Sequence, residues 1–384
     1  MASVAATASL ASGGAAAGEG AAARALDLAN AGLSGRTGLV LAFPTGIDAQ
    51  GAADELASGS VASVAGITGN GAIAAAGSIE QGCAVIAFNR SLEFGIGVAT
   101  GAARDLRDAG RAATAEALST LNGSAEPGVL LLFLDTRSGD QSEAIAGAYE
   151  LAGTDVPIAG GAAGGRDPAQ IVGDRAIRDA VVAIALRPPG PVGIGAAHGC
   201  RRESVPSTVT RSEGRLLLEL DGRPAATVYQ ERLGFEGLDL PDEAFERVAV
   251  IHPLAQPELH AEVRIRHILR REGDGLLCAT HIPPNAAVEF THEAPDDIIE
   301  ASGAAVHEAL GPLHGRPARA ALLFDCAGRK RAVAASLQEE VFGLTDSFAP
   351  SRPPLAGLYT HGEIARVRGA KGDLNHAVVV LAFG

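Results

Sequence analysis

The sequence AALLFDCAGR, residues Ala320–Arg329, sets the pattern on which the rest of the chain is built. Its apolar half has the length of a buried strand, and its polar half with a glycine is typical of a turn. Outward from it, we predict a helix over Ala332–Val341, a short strand at Pro354–Gly357 and a closing strand at Ala377–Phe383. A strand, a crossing helix and a second strand form a βαβ unit, in which the two strands run parallel.

The same order of elements occurs twice before this stretch. The predicted strand, helix, second strand and closing strand are Leu39–Phe43, Gln50–Ala57, Val64–Gly66 and Cys83–Phe88 in the first copy, and Val129–Leu134, Gln141–Leu151, Pro157–Gly160 and Ala180–Leu186 in the second. We therefore predict an α/β fold of repeated β-α-β units that form mixed sheets. Glycine-rich turns follow the strands of all three copies, and ligands of open α/β sheets usually bind at the carboxyl ends of strands. The turns thus predict a pocket along one rim.

Between the second and third copies the pattern changes to short alternating strands. These predicted strands are Pro191–Ala197, Ser207–Thr210, Leu216–Leu220, Glu262–Arg270, Leu276–Ile282 and Ala286–Phe290. A helix from about Asp296 to Leu310 then leads back to the third unit. The sequence therefore predicts an antiparallel β insertion, with a domain boundary near Leu233–Asp242.

Composition excludes several classes of function. The chain has 384 residues and a formal net charge of -14, whereas nucleic-acid binding needs clustered positive charge, so we predict no nucleic-acid partner. No apolar run approaches the roughly 20 residues of a membrane span. The four cysteines are far apart and form no C-x-x-C pair, which is typical of reduced thiols in a cytoplasmic protein and predicts no metal site.

Four stretches resemble motifs of one family, the FIST proteins, which are two-part sensory modules. Pro354–Ile364, PLAGLYTHGEI, is similar to the family's Gly-aromatic-Tyr-Thr-x-Gly-Glu-Ile signature, and Phe324–Arg329 to its Cys-x-Gly-Arg motif. Val156–Gly161 resembles the Pro-x-x-Gly-Gly turn, and Val209–Ala225 resembles the stretch that ends in Asp-Gly-x-Pro-Ala. The matches occur in the family's order and span nearly the whole chain.

The resemblance implies a FIST-N α/β domain over residues 3–235 and a FIST-C α/β domain over residues 236–384. It also implies a cytoplasmic, non-enzymatic sensor that binds a small metabolite, for which amino acids are the usual proposal. Many members are joined to a transmitter, and we predict that this chain signals through a separate protein partner. The sequence leaves the ligand, the partner and the oligomeric state open.

Five residues of the C-terminal motifs are candidates for binding the ligand. Arg329 follows a strand and a glycine, where a guanidinium could clamp a carboxylate through two hydrogen bonds. Glu363 could meet an ammonium group, so the pair would hold both charges of an α-amino acid; a structural ion pair between the two loops is the alternative. Tyr359 and Thr360 offer a ring face and hydroxyl groups, and His361 belongs to the same motif.

Four further candidates lie in equivalent turns, namely Thr45, Asn70, Arg137 and Cys326. Two places depart from the family's pattern. Gly71–Ala72–Ile73 stands where the first copy often has Gly-Glu-Ile, and Asn375–His376 stands where the family often shows His-Asn. These departures leave open whether the N-terminal and C-terminal turns share one pocket.

Two other functions remain as alternatives. Some FIST-type proteins sense nitric oxide through haem, and His361 or His198 could bind noncovalent haem as an axial ligand, since no C-x-x-C-H motif is present. Cys326 could act as the nucleophile of a thiol enzyme if a nearby His361 or Arg329 lowered its pKa. The glycine-rich turns lack the spacing of a dinucleotide loop.

Overall fold

The first of three similar units opens the chain in the computed structural model, which describes residues 10–16, 18, 20–59, 62–121, 126–238, 240–257, 263–366 and 372–384. Its elements are β1 (Leu10–Ala16), α1 (Ala21–Gly32), β2 (Thr37–Thr45), α2 (Ala49–Ser58), β3 (Ser63–Ile67), a hairpin of β4 (Ala72–Ala74) and β5 (Gly77–Ile79), and β6 (Gly82–Asn89). The unit therefore consists of two helices, four longer strands and one short hairpin.

The second unit repeats this order. Its elements are β7 (Glu93–Thr100), α3 (Leu106–Thr120), β8 (Val129–Asp135), a 3-10 turn (Thr136–Ser138), α4 (Gln141–Ala152), β9 (Ile158–Ala163), a hairpin of β10 (Gln170–Val172) and β11 (Arg175–Ile177), and β12 (Ala180–Arg187). Aspartates begin three of the helices in these two units, because the side chains of Asp48, Asp105 and Asp140 accept the otherwise unpaired N–H groups at the helix starts.

The third unit begins with β13 (Val192–Ala197) and is then interrupted by an insertion. The elements of the insertion are β14 (Arg201–Arg202), β15 (Ser207–Glu213), β16 (Leu216–Leu220), β17 (Arg223–Pro224), α5 (Ala225–Arg232), α6 (Asp242–Ile251), β18 (Leu254–Gln256), β19 (Arg264–Arg266), β20 (Ile268–Glu272), β21 (Gly275–Cys278) and β22 (Ala287–His292). Its strands pair antiparallel in a nearly closed barrel, in which β19 and β20 follow each other at opposite ends of the strand order. The predicted antiparallel β insertion is confirmed.

After the insertion the third unit resumes and completes the chain. Its remaining elements are α7 (Pro295–Leu310), a 3-10 turn (Gly311–Leu313), β23 (Ala320–Cys326), α8 (Ala327–Val333), a 3-10 turn (Ala334–Ser336), α9 (Leu337–Asp346), β24 (Leu355–Thr360), a hairpin of β25 (Glu363–Arg366) and β26 (Asp373–Leu374), and β27 (Val378–Phe383).

Each unit contains the predicted parallel pair of strands. β2 runs parallel to β3, β8 to β9 and β23 to β24, while the closing strands β6, β12 and β27 run antiparallel to the first strand of their own unit. The predicted mixed α/β fold of repeated units is therefore confirmed. The registers also agree, since Gly66, Gly160 and Gly357 stand at the same position, opposite Ala42, Leu132 and Leu323. A Cβ at each glycine would lie within 2.2 Å of the carbonyl oxygen of that partner, so the close approach requires glycine.

The hairpin of each unit pairs with a strand of another unit, and the three exchanges form a cycle. The hairpin of the first unit extends the sheet of the third, because β4 pairs with β24. That of the second extends the first through β10 and β3, and that of the third extends the second through β25 and β9. The three resulting sheets, each of six strands within the described residues, are thus completed by a neighbouring unit.

Three phenylalanines mark the centre of this arrangement. Phe43, Phe133 and Phe324 occupy equivalent positions on β2, β8 and β23, and all three are fully buried. Their ring centroids lie 6.4 Å (Phe43 to Phe133), 6.2 Å (Phe43 to Phe324) and 6.1 Å (Phe133 to Phe324) apart. Aromatic rings at such distances attract each other in addition to burying apolar area. The three sheets therefore share one core.

Three sequence expectations differ from the structure. The rim of turns is divided among three sheets instead of following one. Pro191–Ala197 was expected in the insertion, but β13 pairs with β27 at the edge of the third sheet. The helix predicted over Ala332–Val341 is two helices, α8 and α9, since Ala334 has a left-handed φ of 27° that an α-helix does not accommodate.

The division at residues 235 and 236 stays a prediction. Strands from both sides of it lie in common sheets, because β13 pairs with β27 and β25 with β9.

Candidate functional site

A cavity of about 730 Å³ lies where the second and third units meet the barrel, and we call it the central cavity. Its lining comes from all parts of the molecule: Asn70; Leu106, Leu134, Asp135, Thr136, Gly139, Gln141 and Ala162; Arg215, His267, Leu269, Ala279 and Thr280; Cys326, Ala327, Gly328, Lys330, Arg331, Thr360, His361, Gly362 and Asn375. The carboxyl ends of β8 and β23 form one wall, as the βαβ topology predicts for a ligand site. The barrel forms the facing part.

Cys326 and Thr360 line the cavity and Glu363 lies directly behind them. Thr360 Oγ1 is 2.8 Å from Glu363 Oε1 and 3.1 Å from the carbonyl oxygen of Asp325. Burial raises the pKa of Glu363 to about 7, although hydrogen bonds from Thr360 and from the Cys326 thiol act the other way. This carboxyl group therefore changes its protonation state near neutral pH within a wall of the cavity.

Arg329 does not line the cavity. Its guanidinium is fully buried and donates to Asp325 Oδ1 (2.9 Å), to Glu340 Oε1 (2.7 Å), to Ser302 Oγ (2.7 Å) and to the carbonyl oxygen of His198 (2.8 Å). Burial opposes the charge, but the two carboxylates outweigh it and raise the pKa of Arg329. The sequence offered Glu363 as an ion-pair partner of Arg329, but the carboxylates that pair with this guanidinium are those of Asp325 and Glu340. Arg329 thereby links β23, α7 and α9.

Tyr359 is also buried away from the cavity. Its ring lies under the ammonium group of Lys330, whose Nζ is 5.1 Å from the ring centroid. Lys330 in turn donates to the carbonyl oxygen of Asn70 and forms an ion pair with Glu80, each at 2.7 Å. Tyr359 therefore supports the lysine instead of offering a ring face to a ligand.

His361 and Asn70 meet at the cavity, although they are far apart in the sequence. The amide nitrogen of the Asn70 side chain and Nε2 of His361 form a hydrogen bond. Burial and nearby Arg331 lower the pKa of His361. The turns of the first and third units thus contribute to one cavity, as the cyclic exchange of hairpins requires.

Thr45 and Arg137, the remaining two candidates from the sequence, do not line the central cavity. Thr45 is buried and donates to the carbonyl oxygen of Gly69 at 3.1 Å, and it is not part of the lining. Arg137 is half-exposed and paired with Asp135, whose Oδ2 is 3.1 Å from its Nη2. Asp135 itself does line the cavity, at the position equivalent to Thr45 and Cys326.

Two arginines on the cavity wall have no anionic partner among the described residues. Arg215 lies in the turn between β15 and β16 in the barrel, and Arg331 lies on the exposed side of α8. Asp135, by contrast, is paired with Arg137, and Glu363 is buried. The unpaired charges that face the cavity are therefore positive.

A chain of polar side chains leads from His267 at the cavity to buried residues inside the protein. His267 lies between β19 and β20, and its Nδ1 is 2.6 Å from Nε2 of His376. Nδ1 of His376 is 2.8 Å from Glu293 Oε2, and Glu293 Oε1 accepts the thiol hydrogen of Cys200 at 2.9 Å. His376 has a left-handed φ of 51°, which residues other than glycine rarely adopt. The backbone is thus held in an uncommon conformation where it presents this imidazole.

The surroundings of Cys326 give little support to the thiol-enzyme alternative. Burial raises its pKa well above the ordinary value, and Glu363 adds to this effect, against the lowering by backbone N–H groups of Gly328, Arg329 and His376. A nucleophilic cysteine needs a thiolate, which a lowered pKa provides. Cys326 is kept as a thiol here.

The two histidines that could bind haem already have hydrogen-bond partners. Nε2 of His361 is hydrogen-bonded by Asn70, and His198 lies in a separate surface cavity, where its Nδ1 accepts the N–H of Cys200 at 2.9 Å. These residues fit haem in the central cavity poorly, and we derive no step through it. Within the described residues, no group of three or more His, Cys, Asp or Glu side chains is arranged to hold a metal ion.

Sequence reasoning did not select Arg215, Arg331 or His267. Arg331 is only two residues from Arg329, but a helix turns by about 200° over two residues, so the two guanidinium groups leave opposite sides. The alternation around His267 indicated a strand face without showing what it faced. No sequence pattern singles out Arg215, because its position at the cavity depends on how the barrel packs on the third unit.

Comparisons with known proteins agree with the family resemblance of the sequence motifs. Residues 38–223 match the FIST N domain and residues 225–366 match the FIST C domain. Two curated relatives, uncharacterized proteins of Mycobacterium bovis and Mycobacterium tuberculosis, are each 32% identical over 208 residues. The match covers 48% of this chain and 49% of each relative, so the chain spans about half the length of the curated relatives it matches.

Within the described residues, no helix combines the length and the apolar character that crossing a membrane requires.

Proposed function

We propose, from the premise that this chain belongs to the FIST family of sensory domains, that it senses a small polar metabolite with at least one anionic group. The ligand binds in the central cavity. The observation that carries this proposal is the pair of arginines, Arg215 and Arg331, which line the cavity without an anionic partner among the described residues. A guanidinium in a partly enclosed site binds a carboxylate or phosphate through two parallel hydrogen bonds.

The finer proposal is an amino-acid-like ligand. Its carboxylate would pair with Arg331 or Arg215, and its ammonium group would meet the oxygen atoms of Asp135 and Asn375, which line the same cavity. This arrangement differs from the clamp of Arg329 and Glu363 that the motifs suggested. Those two residues contribute from behind the wall, where Glu363 supports Thr360 and Arg329 fixes α8.

Signalling through a separate protein partner remains part of the proposal. The match to sensory domains supports it, and no residue identifies the partner. We also propose that the protein acts in the cytoplasm, since Cys83, Cys200, Cys278 and Cys326 are all unpaired, as in a reducing compartment.

Binding of carboxylates, amino acids and phosphates, measured by thermal shift and calorimetry, tests the proposal. We expect Arg331→Ala and Arg215→Ala each to weaken the binding of an anionic ligand by about 10-fold or more, which is roughly 1.4 kcal/mol. Arg211→Ala is the matched control, because Arg211 lies on the same β15–β16 hairpin but is paired with Glu219 at 3.0 Å and does not line the cavity.

Two outcomes would contradict the proposal. In one, no anionic compound in the panel stabilises the protein, whereas neutral or cationic compounds do. In the other, an anion binds but both cavity variants bind it as tightly as the Arg211→Ala control.

A further inference from the structure

We infer that His267 is a fixed hydrogen-bond acceptor of the central cavity and that the ligand presents an N–H or O–H group to it. His376 and Glu293 are positioning residues that fix its tautomer. This inference rests on the proposed function, because it names the chemistry of the ligand in the same cavity. It is carried by the chain of contacts from His267 through His376 to Glu293.

The hydrogen-bond partners determine which nitrogen atoms carry hydrogen. Glu293 is buried, and although burial opposes its charge, His376 beside it lowers the pKa of this carboxyl group. An ionised carboxylate only accepts hydrogen bonds, so Nδ1 of His376 must donate to it. Nε2 of a neutral His376 is then an acceptor, and Nδ1 of His267 must donate to that atom at 2.6 Å.

The remaining nitrogen of His267 is therefore an acceptor that faces the cavity. His267 is part of the lining, and its Nε2 has no hydrogen-bond partner among the described residues. Free histidine in water exchanges between both tautomers, whereas this chain holds one of them. The cavity thus contains cationic groups for an anion together with one fixed acceptor for a hydrogen-bond donor.

The charged and titratable neighbours of His267 disfavour a proton on its free nitrogen, so this atom remains an acceptor. Burial lowers the pKa of His267 well below its ordinary value, and His376, Arg331 and His361 all add to this effect. The neighbours of His376 include two carboxyl groups, Glu293 and Glu363.

Further groups surround the inner end of the chain. Arg329 acts on Glu293 and helps to keep it ionised, and His198 lies close enough to feel both Glu293 and His376. The Cys200 thiol occupies the second oxygen of Glu293, and burial followed by that carboxylate raises its pKa, so it remains a donor. Glu293 therefore accepts a hydrogen bond on each oxygen, from the Cys200 thiol and from Nδ1 of His376.

The proposed contact with the ligand is therefore a hydrogen bond. The N–H or O–H group of the ligand donates to Nε2 of His267, and the anionic group of the ligand lies beside Arg331.

Nitrogen NMR of the protein with ¹⁵N-labelled histidine, assigned with His267→Gln and His376→Gln, tests the tautomers without any ligand. We expect neutral His267 and His376 both to carry hydrogen on Nδ1, with a coupling across the hydrogen bond between the rings. A neutral His267 with hydrogen on Nε2 would overturn the inference. Since no ligand is used, this result is independent of the outcome of the binding panel.

The role of Glu293 is tested by the tautomers in the same NMR experiment. Glu293→Gln replaces a carboxylate, which only accepts hydrogen bonds, with an amide that can also donate, so the preference of His376 and His267 for hydrogen on Nδ1 should be weakened or lost. Glu289→Gln is the matched control, because Glu289 lies on β22, the strand that Glu293 directly follows, and pairs with Arg202 instead. Unchanged tautomers in Glu293→Gln would contradict the positioning role of Glu293.

The accessible nitrogen is tested with diethylpyrocarbonate, which reacts with unprotonated imidazole. Mass mapping of the folded protein should find His267 modified and His376 spared, because both nitrogens of His376 are hydrogen-bonded. Modification of His376 with His267 untouched would also overturn the inference.

Discussion

Arg329 and Arg331 are two residues apart on the same short helix and have opposite surroundings. Arg329 is fully buried and bound by two carboxylates, a hydroxyl and carbonyl oxygens. Arg331 is exposed on the wall of the central cavity and has no anionic partner among the described residues. Arg329 belongs to the recognisable motif, yet Arg331 is the residue that a ligand can reach.

The difference shows that a residue of a family motif can stabilise the structure of a site without facing the cavity. A buried arginine with all its donors used fixes the elements around it, and little of its charge is left for another partner. An arginine without a partner keeps its charge available. The motif around Cys326 therefore specifies the wall of the site, and Arg331, one of the two arginines proposed to bind the ligand, lies two residues beyond Arg329 on the same helix.

The largest effect is expected where the buried arginine is removed. Arg329→Met leaves Asp325 and Glu340 buried without a cation, which should lower the free energy of unfolding by about 3–5 kcal/mol. Chemical denaturation measures this loss. Arg331→Met, the control on the same helix, should change stability by less than about 0.5 kcal/mol.

A second variant separates lost charge from lost packing. If the buried carboxylate causes the damage, adding Glu340→Gln to Arg329→Met should restore part of the stability. Equal losses for Arg329→Met and Arg331→Met would remove the contrast between the two arginines.

The next effect concerns Glu363, a buried acid that forms no ion pair with an arginine among the described residues. Its pKa is raised from 4.5 to about 7, so the folded protein keeps this proton where the unfolded chain has released it. Stability should therefore fall as the pH rises from about 4.5 to 7 and then level off. Glu363→Gln, which resembles the protonated acid, should escape this loss and become more stable than wild type by up to about 3 kcal/mol above pH 7.

Denaturation curves at several pH values measure the difference between the two proteins. The same substitution at Glu246, an exposed residue of α6, controls for the loss of one carboxylate. A difference between wild type and Glu363→Gln that does not change with pH would show that Glu363 is ionised throughout.

The smallest effect is expected at His361. Burial and Arg331 lower its pKa, so Arg331→Gln should raise that pKa by a few tenths of a pH unit, as expected for a charge partly screened by water. Histidine NMR follows the titration, with Arg352→Gln, an exposed arginine paired with Asp346, as control. An unchanged pKa of His361 in the Arg331→Gln variant would mean that the Arg331 charge does not act on the cavity.

The sequence alone predicted the repeated units because their signals are local. A strand such as Val129–Leu134, its crossing helix and its second strand lie within a few dozen residues, and apolar runs and turn residues mark each of them. The exchange of hairpins could not be predicted this way. β4 and β25 are short segments, and their partners on β24 and β9 are hundreds of residues away.

The cavity was partly predictable for the same reason. Cys326, Thr360 and His361 lie at or directly after the carboxyl ends of strands and do line it, and Asn70 reaches it through the hairpin exchange. The burial of Arg329 depends on Glu340 and on α7, which lie outside its motif. The chain from His267 to Glu293 joins three separate segments, so only the folded protein brings it together.

The cyclic exchange of hairpins also has a consequence for how the protein is made. A ribosome delivers the first unit before the third, but the partner of hairpin β4 is β24, more than 200 residues later in the sequence. The second sheet likewise waits for β25, and β13 waits for β27. The edges of these strands stay open until their partners have been synthesised, a period in which unpaired strands are prone to aggregate. The ring closes only when the third unit has left the ribosome, so the second and third sheets are completed together.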